Sequence, residues 1–454
     1  MNNEKAFAIL ESIFQAGLRR VDPYLMIKEL LKVIDNRLII DTKTERHEID
    51  LNNFKKVFVT GMGKASGRMA LAIEDIFGGM IDSGVVAVKY GHVEKLQKIK
   101  LIEAGHPVPD ENSVKASASV IDLVKNLSES DLVINLVSGG GSAVLCSPYS
   151  NDELSVSLSE KQSLSRLLLS CGAEIHEINC LRKHLSNIKG GRLAEMIYPA
   201  TCISLILSDV VGDNLDVIAS GATVPDSSTF VDAIGIIEKY GIESSVPKNI
   251  MEILNKGAKG EIPETPKVGS PIFNSVKNIL IGTNYHALLA ASQEARRLGF
   301  KSNILTSMVT GEAREIAHFF AGIARDLCRW SNNGDLPICI IAGGETTVTL
   351  KGKGMGGRCQ EMALSFLNDI RKSSELDGRV FFLAAGTDGN DGPTDASGAF
   401  ASMELYSIAN DFGLVPEKFI QESDSYHFFE KINGLFKTGP TGTNVCDIYL
   451  MLVV

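Results

Sequence analysis

Apolar and polar positions along this chain follow two rhythms. The first 35 residues repeat apolar side chains at helical spacing, through Ala6, Ile9, Leu10, Ile13 and Phe14, and predict helix. From residue 56 onward, short continuous apolar runs take over, most of them ending in a polar or glycine-rich turn. Residues 56–60 (KVFVT) predict the first buried strand, which enters Gly61-Met62-Gly63-Lys64-Ala65-Ser66-Gly67 and then a helix, RMALAIEDIF. A second strand is predicted over 84–89. The loop EAGHPVPDENS leads into a helix over 112–127, and residues 131–137 form another strand, ending in Ser138-Gly139-Gly140-Gly141-Ser142. Two helices and a strand over 202–207 follow, the strand ending at Ser208-Asp209. Strands alternating with helices predict a doubly wound parallel sheet.

Residues 241–272 change character, with prolines at 247, 263, 266 and 271 and several lysines. The boundary expected there divides the chain into a Rossmann-like α/β domain over 1–245, a linker over 246–272 and a second α/β domain over 273–454. Each is expected to be a three-layer α/β/α body. The second series opens with a strand over 278–282 and the helix NYHALLAASQEARRLG. It continues through a buried strand over 338–342, a half-buried alternation over 346–350, a strand over 380–385 and the terminal apolar run DIYLMLVV. Gly352, Gly354, Gly356 and Gly357 precede a helix opened by Arg358.

Composition narrows the function. With 454 residues, 44% hydrophobic and 22% charged, the chain is expected to be a globular protein of two domains. No apolar run reaches membrane-spanning length and no signal-peptide pattern opens the chain, so a cytoplasmic protein with no membrane partner is expected. A net charge of −10 without a long basic block argues against nucleic acid as a partner. The eight cysteines show neither C-x-x-C pairs nor zinc spacing.

Against this acidic background, several stretches are suited to anions. Gly63 and Lys64 place a lysine and mobile backbone at a helix start, although Gly61–Gly67 satisfies neither the dinucleotide fingerprint nor the Walker pattern. Ser138, Gly139, Gly140, Gly141 and Ser142 allow backbone N–H groups and hydroxyls to converge on a phosphate or carboxylate. Their spacing is wrong for a serine nucleophile elbow. Arg182, Lys183 and Lys189 form a dense cationic stretch. Glu345, Gly356 and Gly357 flank Arg358, whose forked guanidinium suits phosphate oxygens. Asp209 and Asp388 end strands within acidic clusters and are candidate Mg²⁺ ligands.

Taken together, GKASGRMA, EAGHPVPDENS, SGGGSA, RKHLSNIKGGRLA, SDVVGD, GGETTVTLKGKGMGGRCQE, GTDGNDGPTDASGA and TGPTGTN make the chain resemble the class II glycerate kinases, which carry a C-terminal MOFRL domain. The resemblance runs from near residue 60 to near residue 447. It implies transfer of the γ-phosphate of ATP to the 2-hydroxyl of D-glycerate, with Mg²⁺, in a cleft between two α/β domains. It maps the family's catalytic lysine to Lys64 and its arginine to Arg358. Two positions depart from the family pattern: Cys359 stands where asparagine is usual, and Gly386 where aspartate is frequent. The alternatives are an NAD(P)H-dependent hydroxypyruvate reductase and a non-catalytic hydroxy-acid sensor on the same fold. Either a monomer or a homodimer is compatible with the sequence.

Overall fold

The computed structural model describes residues 1–42, 45–330 and 335–454. They form two compact units, one of Pro23–Ile281 and one that joins Met1–Asp22 to Gly282–Val454.

The Pro23–Ile281 unit opens with a helix, Pro23–Leu30, and a three-stranded antiparallel sheet of β1 (Leu31–Ile34), β2 (Arg37–Asp41) and β3 (Arg46–Asp50). The strand at 31–34 lies inside the stretch expected to be helical. The main sheet follows, built from β4 (Lys56–Met62), β5 (Ile81–Lys89), β6 (Ile99–Ala104), β7 (Asp131–Val137), β8 (Thr201–Leu207) and β9 (Val276–Gly282). Its order is β6-β5-β4-β7-β8-β9, and the pairings from β6 through β8 are parallel. Helices shield a parallel sheet on its faces, so its central strands read as unbroken apolar runs, and every residue of β7 is buried. The strand expected to open the second domain is instead the edge of this first sheet.

A second core lies among four helices, Leu158–Ser170, Ile175–His184, Phe230–Lys239 and Lys248–Ala258, around Leu164, Leu181, Phe230 and Ile250. Residues 246–272, expected as a linker, therefore carry a helix whose Ile250, Ile253 and Leu254 are buried.

The other unit holds a mixed sheet of β10 (Lys301–Val309), β11 (Ile338–Gly344), β12 (Val380–Gly386), β13 (Gly398–Ser402), β14 (Leu435–Phe436) and β15 (Asp447–Val453), in the order β10-β11-β15-β12-β13-β14. Only β10 and β11 pair in parallel; the other pairings are antiparallel. The terminal apolar run is thus an interior strand, buried throughout. Helices Ala313–Trp330 and Arg358–Ile370 pack Phe320 and Phe366 on Phe382, with ring centroids 5.4 and 4.4 Å apart. The N-terminal helix, Asn3–Arg20, joins this unit because its apolar stripe is buried there. Phe7 stacks on Phe400 at 4.3 Å, Phe14 meets Phe436 at 5.2 Å, and Ser12 Oγ donates to Glu294 at 2.8 Å. The alternation at 346–350 does not form the expected strand. The chain leaves β11 at Gly344, Thr347 makes one isolated bridge to Glu312, and Leu350 is exposed. Among the described residues no helix is long and apolar enough to cross a membrane.

Candidate functional site

The loops that follow the neighbouring strands β4 and β7 are stitched together. Lys64 N–H donates to the Gly139 carbonyl at 2.9 Å, and Ala65 N–H donates to Ser138 Oγ at 3.0 Å. Gly63 has φ +133°, and a Cβ there would lie 2.4 Å from the Ser138 carbonyl oxygen, so neither the conformation nor the space admits another residue. Ser138 is buried against Ala65 and Ser66, so its hydroxyl stiffens the turn instead of facing a ligand.

Beyond this turn lies a cavity of about 330 Å³. Gly140, Gly141 and Ser142 form one wall, and Lys161, Arg182 and Lys189 supply three cations. Asp209 is the one carboxylate among the lining residues, and its Oδ2 would lie 1.9 Å from a Cβ on Gly139. Lys189 is buried, donates from Nζ to the Ser142 carbonyl at 2.8 Å, and is pushed down to about 7 by burial and by the nearby Lys161. Lys161 donates to the Leu185 carbonyl at 2.8 Å, and burial lowers its pKa as well. Arg182 is also lowered by burial. Crowded, poorly hydrated cations of this kind are relieved when an anion enters.

His106 completes the wall beside Gly140 and Lys64. Burial, and then the charges of Lys64, Lys89 and His92, lower it to about 4, so it is neutral at neutral pH. Lys183, grouped by sequence with Arg182 and Lys189, points elsewhere. It forms ion pairs with Asp226 at 3.2 Å and Asp216 at 3.4 Å and does not line the cavity.

In the other unit, Arg358 opens the helix Arg358–Ile370. Its Nε and Nη2 donate to the two oxygens of Asp447 at 2.7 and 2.9 Å, and Nη1 meets Glu345 at 2.7 Å. Burial opposes the guanidinium charge, but the hydrogen bonds to Asp447 outweigh it and raise the pKa. Asp391 receives the N–H groups of Cys359 and Gln360 at 3.1 and 2.8 Å, capping the helix from outside its own sequence. Burial pushes Asp391 up to about 7 despite these donors. Arg358, Gly356, Gly357 and Asp391 line a cavity of about 460 Å³ together with Thr346 and Glu361. Cys359 is fully buried, and burial and the Asp447 charge hold its thiol protonated. Asp388 caps a turn, accepting Asn390 N–H at 3.1 Å. Among the described residues no three His, Cys, Asp or Glu side chains cluster as a metal site. Mg²⁺ needs only one or two carboxylates when phosphate supplies the other oxygens, and Asp209 beside the cationic cavity fits that requirement.

A parallel α/β unit with a cation-lined cavity at its strand ends, and a mixed α/β unit presenting a fixed arginine, fit an enzyme that handles phosphorylated small molecules. Residues 9–255 match the model of a domain of unknown function, DUF4147, and residues 338–447 match that of the MOFRL family. The chain is 42% identical over 438 residues to the glycerate 2-kinase of Pyrococcus horikoshii, which covers 96% of this chain and 95% of that protein. The crystal structure of a Thermotoga maritima glycerate kinase matches it with a TM-score of 0.86 at 39% identity, covering 99% of this chain and all of the other. A relative from Agrobacterium vitis, 37% identical over 100% of this chain and 95% of its own length, carries a provisional hydroxypyruvate reductase name. The chain belongs to the glycerate kinase family with a C-terminal MOFRL domain.

Three residues that shape these sites were not candidates from sequence, and a fourth was read for another role. Lys161 had a signal: it occupies the buried stripe of its helix with Leu164 and Leu168, where a lysine is out of place unless it serves a cavity. Asp447 likewise opens an otherwise apolar interior strand. His106 lies within the family-like EAGHPVPDENS segment. Asp391 lay in an acidic run read as possible metal ligands, and nothing in that run marks it as a helix cap.

Proposed function

We propose that this chain is a cytoplasmic, ATP-dependent glycerate 2-kinase that transfers the γ-phosphoryl group to the 2-hydroxyl of D-glycerate. The observation that carries this reading is the cavity walled by Lys161, Arg182 and Lys189, with Lys64 on the adjoining loop. Its size and charge suit a small hydroxy acid that gains phosphate charge during the reaction. The cavity cations hold the glycerate carboxylate. Neutral His106 offers the 2-hydroxyl a hydrogen-bond acceptor. As that oxygen bonds to phosphorus, the bond from phosphorus to the ADP oxygen breaks, and the hydroxyl proton passes through the His106 imidazole to solvent. Lys64 counters the charge on the transferred oxygens, the main demand of phosphoryl transfer, and Arg358 is the second catalytic cation that the family resemblance implies. Asp209 would hold Mg²⁺, which supplies further charge neutralisation on the donor phosphates when bound.

The test is an enolase-coupled assay on the whole protein with D-glycerate, ATP and Mg²⁺, without phosphoglycerate mutase. Immediate signal is expected, since enolase accepts 2-phosphoglycerate directly. Signal only after mutase is added means 3-phosphoglycerate and a wrong regiochemistry. The reductase name of one relative makes a second assay worthwhile. The interrupted glycine fingerprint at Gly61–Gly67 favours no NAD(P)H site, and hydroxypyruvate-dependent NADH oxidation at the kinase rate would reverse the assignment.

A further inference from the structure

Arg358 carries two carboxylates that differ in kind. Asp447 is fully buried, binds Nε and Nη2 together, and also accepts Tyr449 Oη at 3.1 Å. Glu345 meets Arg358 only at Nη1, at 2.7 Å, accepts the Cys446 thiol on its other oxygen at 3.8 Å, and has a side chain 44% exposed. The backbone beneath Glu345 is held: Glu345 N–H donates to the Val309 carbonyl at 2.9 Å, and Gly344 lies hard against Val309. The carboxyl end is thus the part of Glu345 able to leave. Burial raises its pKa, ahead of the opposing pull of Arg358, so the charged form gains less here than its short ion pair suggests. A guanidinium fixed along one edge, with its last nitrogen covered by a half-exposed carboxylate, is already arranged for an exchange of anions.

Building on the kinase reading above, we propose that Glu345 is a displaceable counter-ion on Arg358. A phosphate oxygen of the nucleotide takes its place on Nη1, while Asp447 acts as the positioning residue that keeps the guanidinium oriented. Glu345 then tunes donor affinity by competing with the donor, not by contacting it.

The test measures binding of sodium tripolyphosphate, and separately ADP, to the full chain by calorimetry. Glu345→Gln is expected to tighten both by roughly three- to fivefold, the worth of a half-exposed ion pair. The KM for ATP should fall by a similar factor. In an Arg358→Gln background the same substitution should bring less than about a twofold gain, because the competition runs through Arg358. Asp447→Asn keeps the side-chain volume and one acceptor, and should weaken binding with Glu345 present or replaced. Unchanged or weaker binding in Glu345→Gln, an equal gain in both backgrounds, or no measurable binding by any of the chains overturns the counter-ion role. A folded Asp447→Asn chain that binds as tightly as wild type overturns the positioning role. The expected affinity pattern without glycerate phosphorylation would remove the kinase reading and leave the counter-ion assignment in place.

Discussion

Lys183 Nζ lies 3.2 Å from Asp226 Oδ1, and Asp226 is fully buried. Asp226 also accepts Ser228 Oγ at 2.8 Å and Thr265 Oγ1 at 2.9 Å. Burial works against its charge, but Lys183 and the Ser228 donors hold its pKa below the ordinary value. Truncating the lysine strands a buried carboxylate, so Lys183→Met should cost roughly 3–5 kcal/mol. Its neighbour Arg182 lines the cation-rich cavity, so Arg182→Ala should change stability by under about 1 kcal/mol while weakening glycerate binding. Urea denaturation of both variants, with KM for glycerate, separates the two roles. A Lys183→Met chain as stable as wild type would mean that the hydroxyls alone satisfy Asp226.

Lys189 gives the cavity a pH dependence. Its pKa falls from 10.5 to about 7 on folding. Between those values the unfolded chain binds more protons than the native one, so stability rises with pH across that window. Below about 7 Lys189 is charged in both states, and its burial cost is fully felt. Denaturation from about pH 6 to about pH 9 should show this rise, and Lys189→Met should flatten it. Anion affinity should move the opposite way, weakening as pH climbs through 7. A slope unchanged in Lys189→Met would place the titration elsewhere.

Gly63→Ala tests the junction of the two loops. The added methyl meets the Ser138 backbone, and φ of +133° is unfavourable for any L side chain. A loss of about 2 kcal/mol or more is expected, together with weakened anion binding because Lys64 follows directly. Thermal unfolding and calorimetry decide it; a Gly63→Ala chain of normal stability would show that the turn relaxes freely.

Lys64→Ala and Arg358→Ala should each lower kcat by about two orders of magnitude or more. Their effects on folding should differ. An arginine at a loop end looks dispensable for stability, yet Arg358 neutralises the buried Asp447. Arg358→Ala should therefore lose stability by several kcal/mol, while Lys64→Ala stays near wild type. Steady-state kinetics with thermal unfolding on both chains tests the contrast. Near-normal kcat in a folded variant removes that residue from the chemistry.

Sequence alone determined the elements whose signal is local. Continuous apolar runs over 56–60, 131–137 and 202–207 read as buried strands, and each lies in a strand of the parallel sheet, while the glycine-rich turns after the first two read as candidate anion loops. The helix opened by Arg358 was equally plain, as was the cationic character of 182–192. Tertiary structure decided what depends on long-range burial. Which sheet takes the strand at 276–282, and which unit buries the stripe of Asn3–Arg20, are matters of docking partners and not of local pattern. The alternation at 346–350 found no neighbouring strand, so its periodicity had nothing to pair with. Chain order likewise could not divide neighbouring cations. Arg182 and Lys183 are one residue apart on a helix and point in different directions, one into the cavity and one to Asp226. Helical geometry separates adjacent side chains by about 100°, and only the packed surroundings decide which of them meets a ligand and which a buried carboxylate.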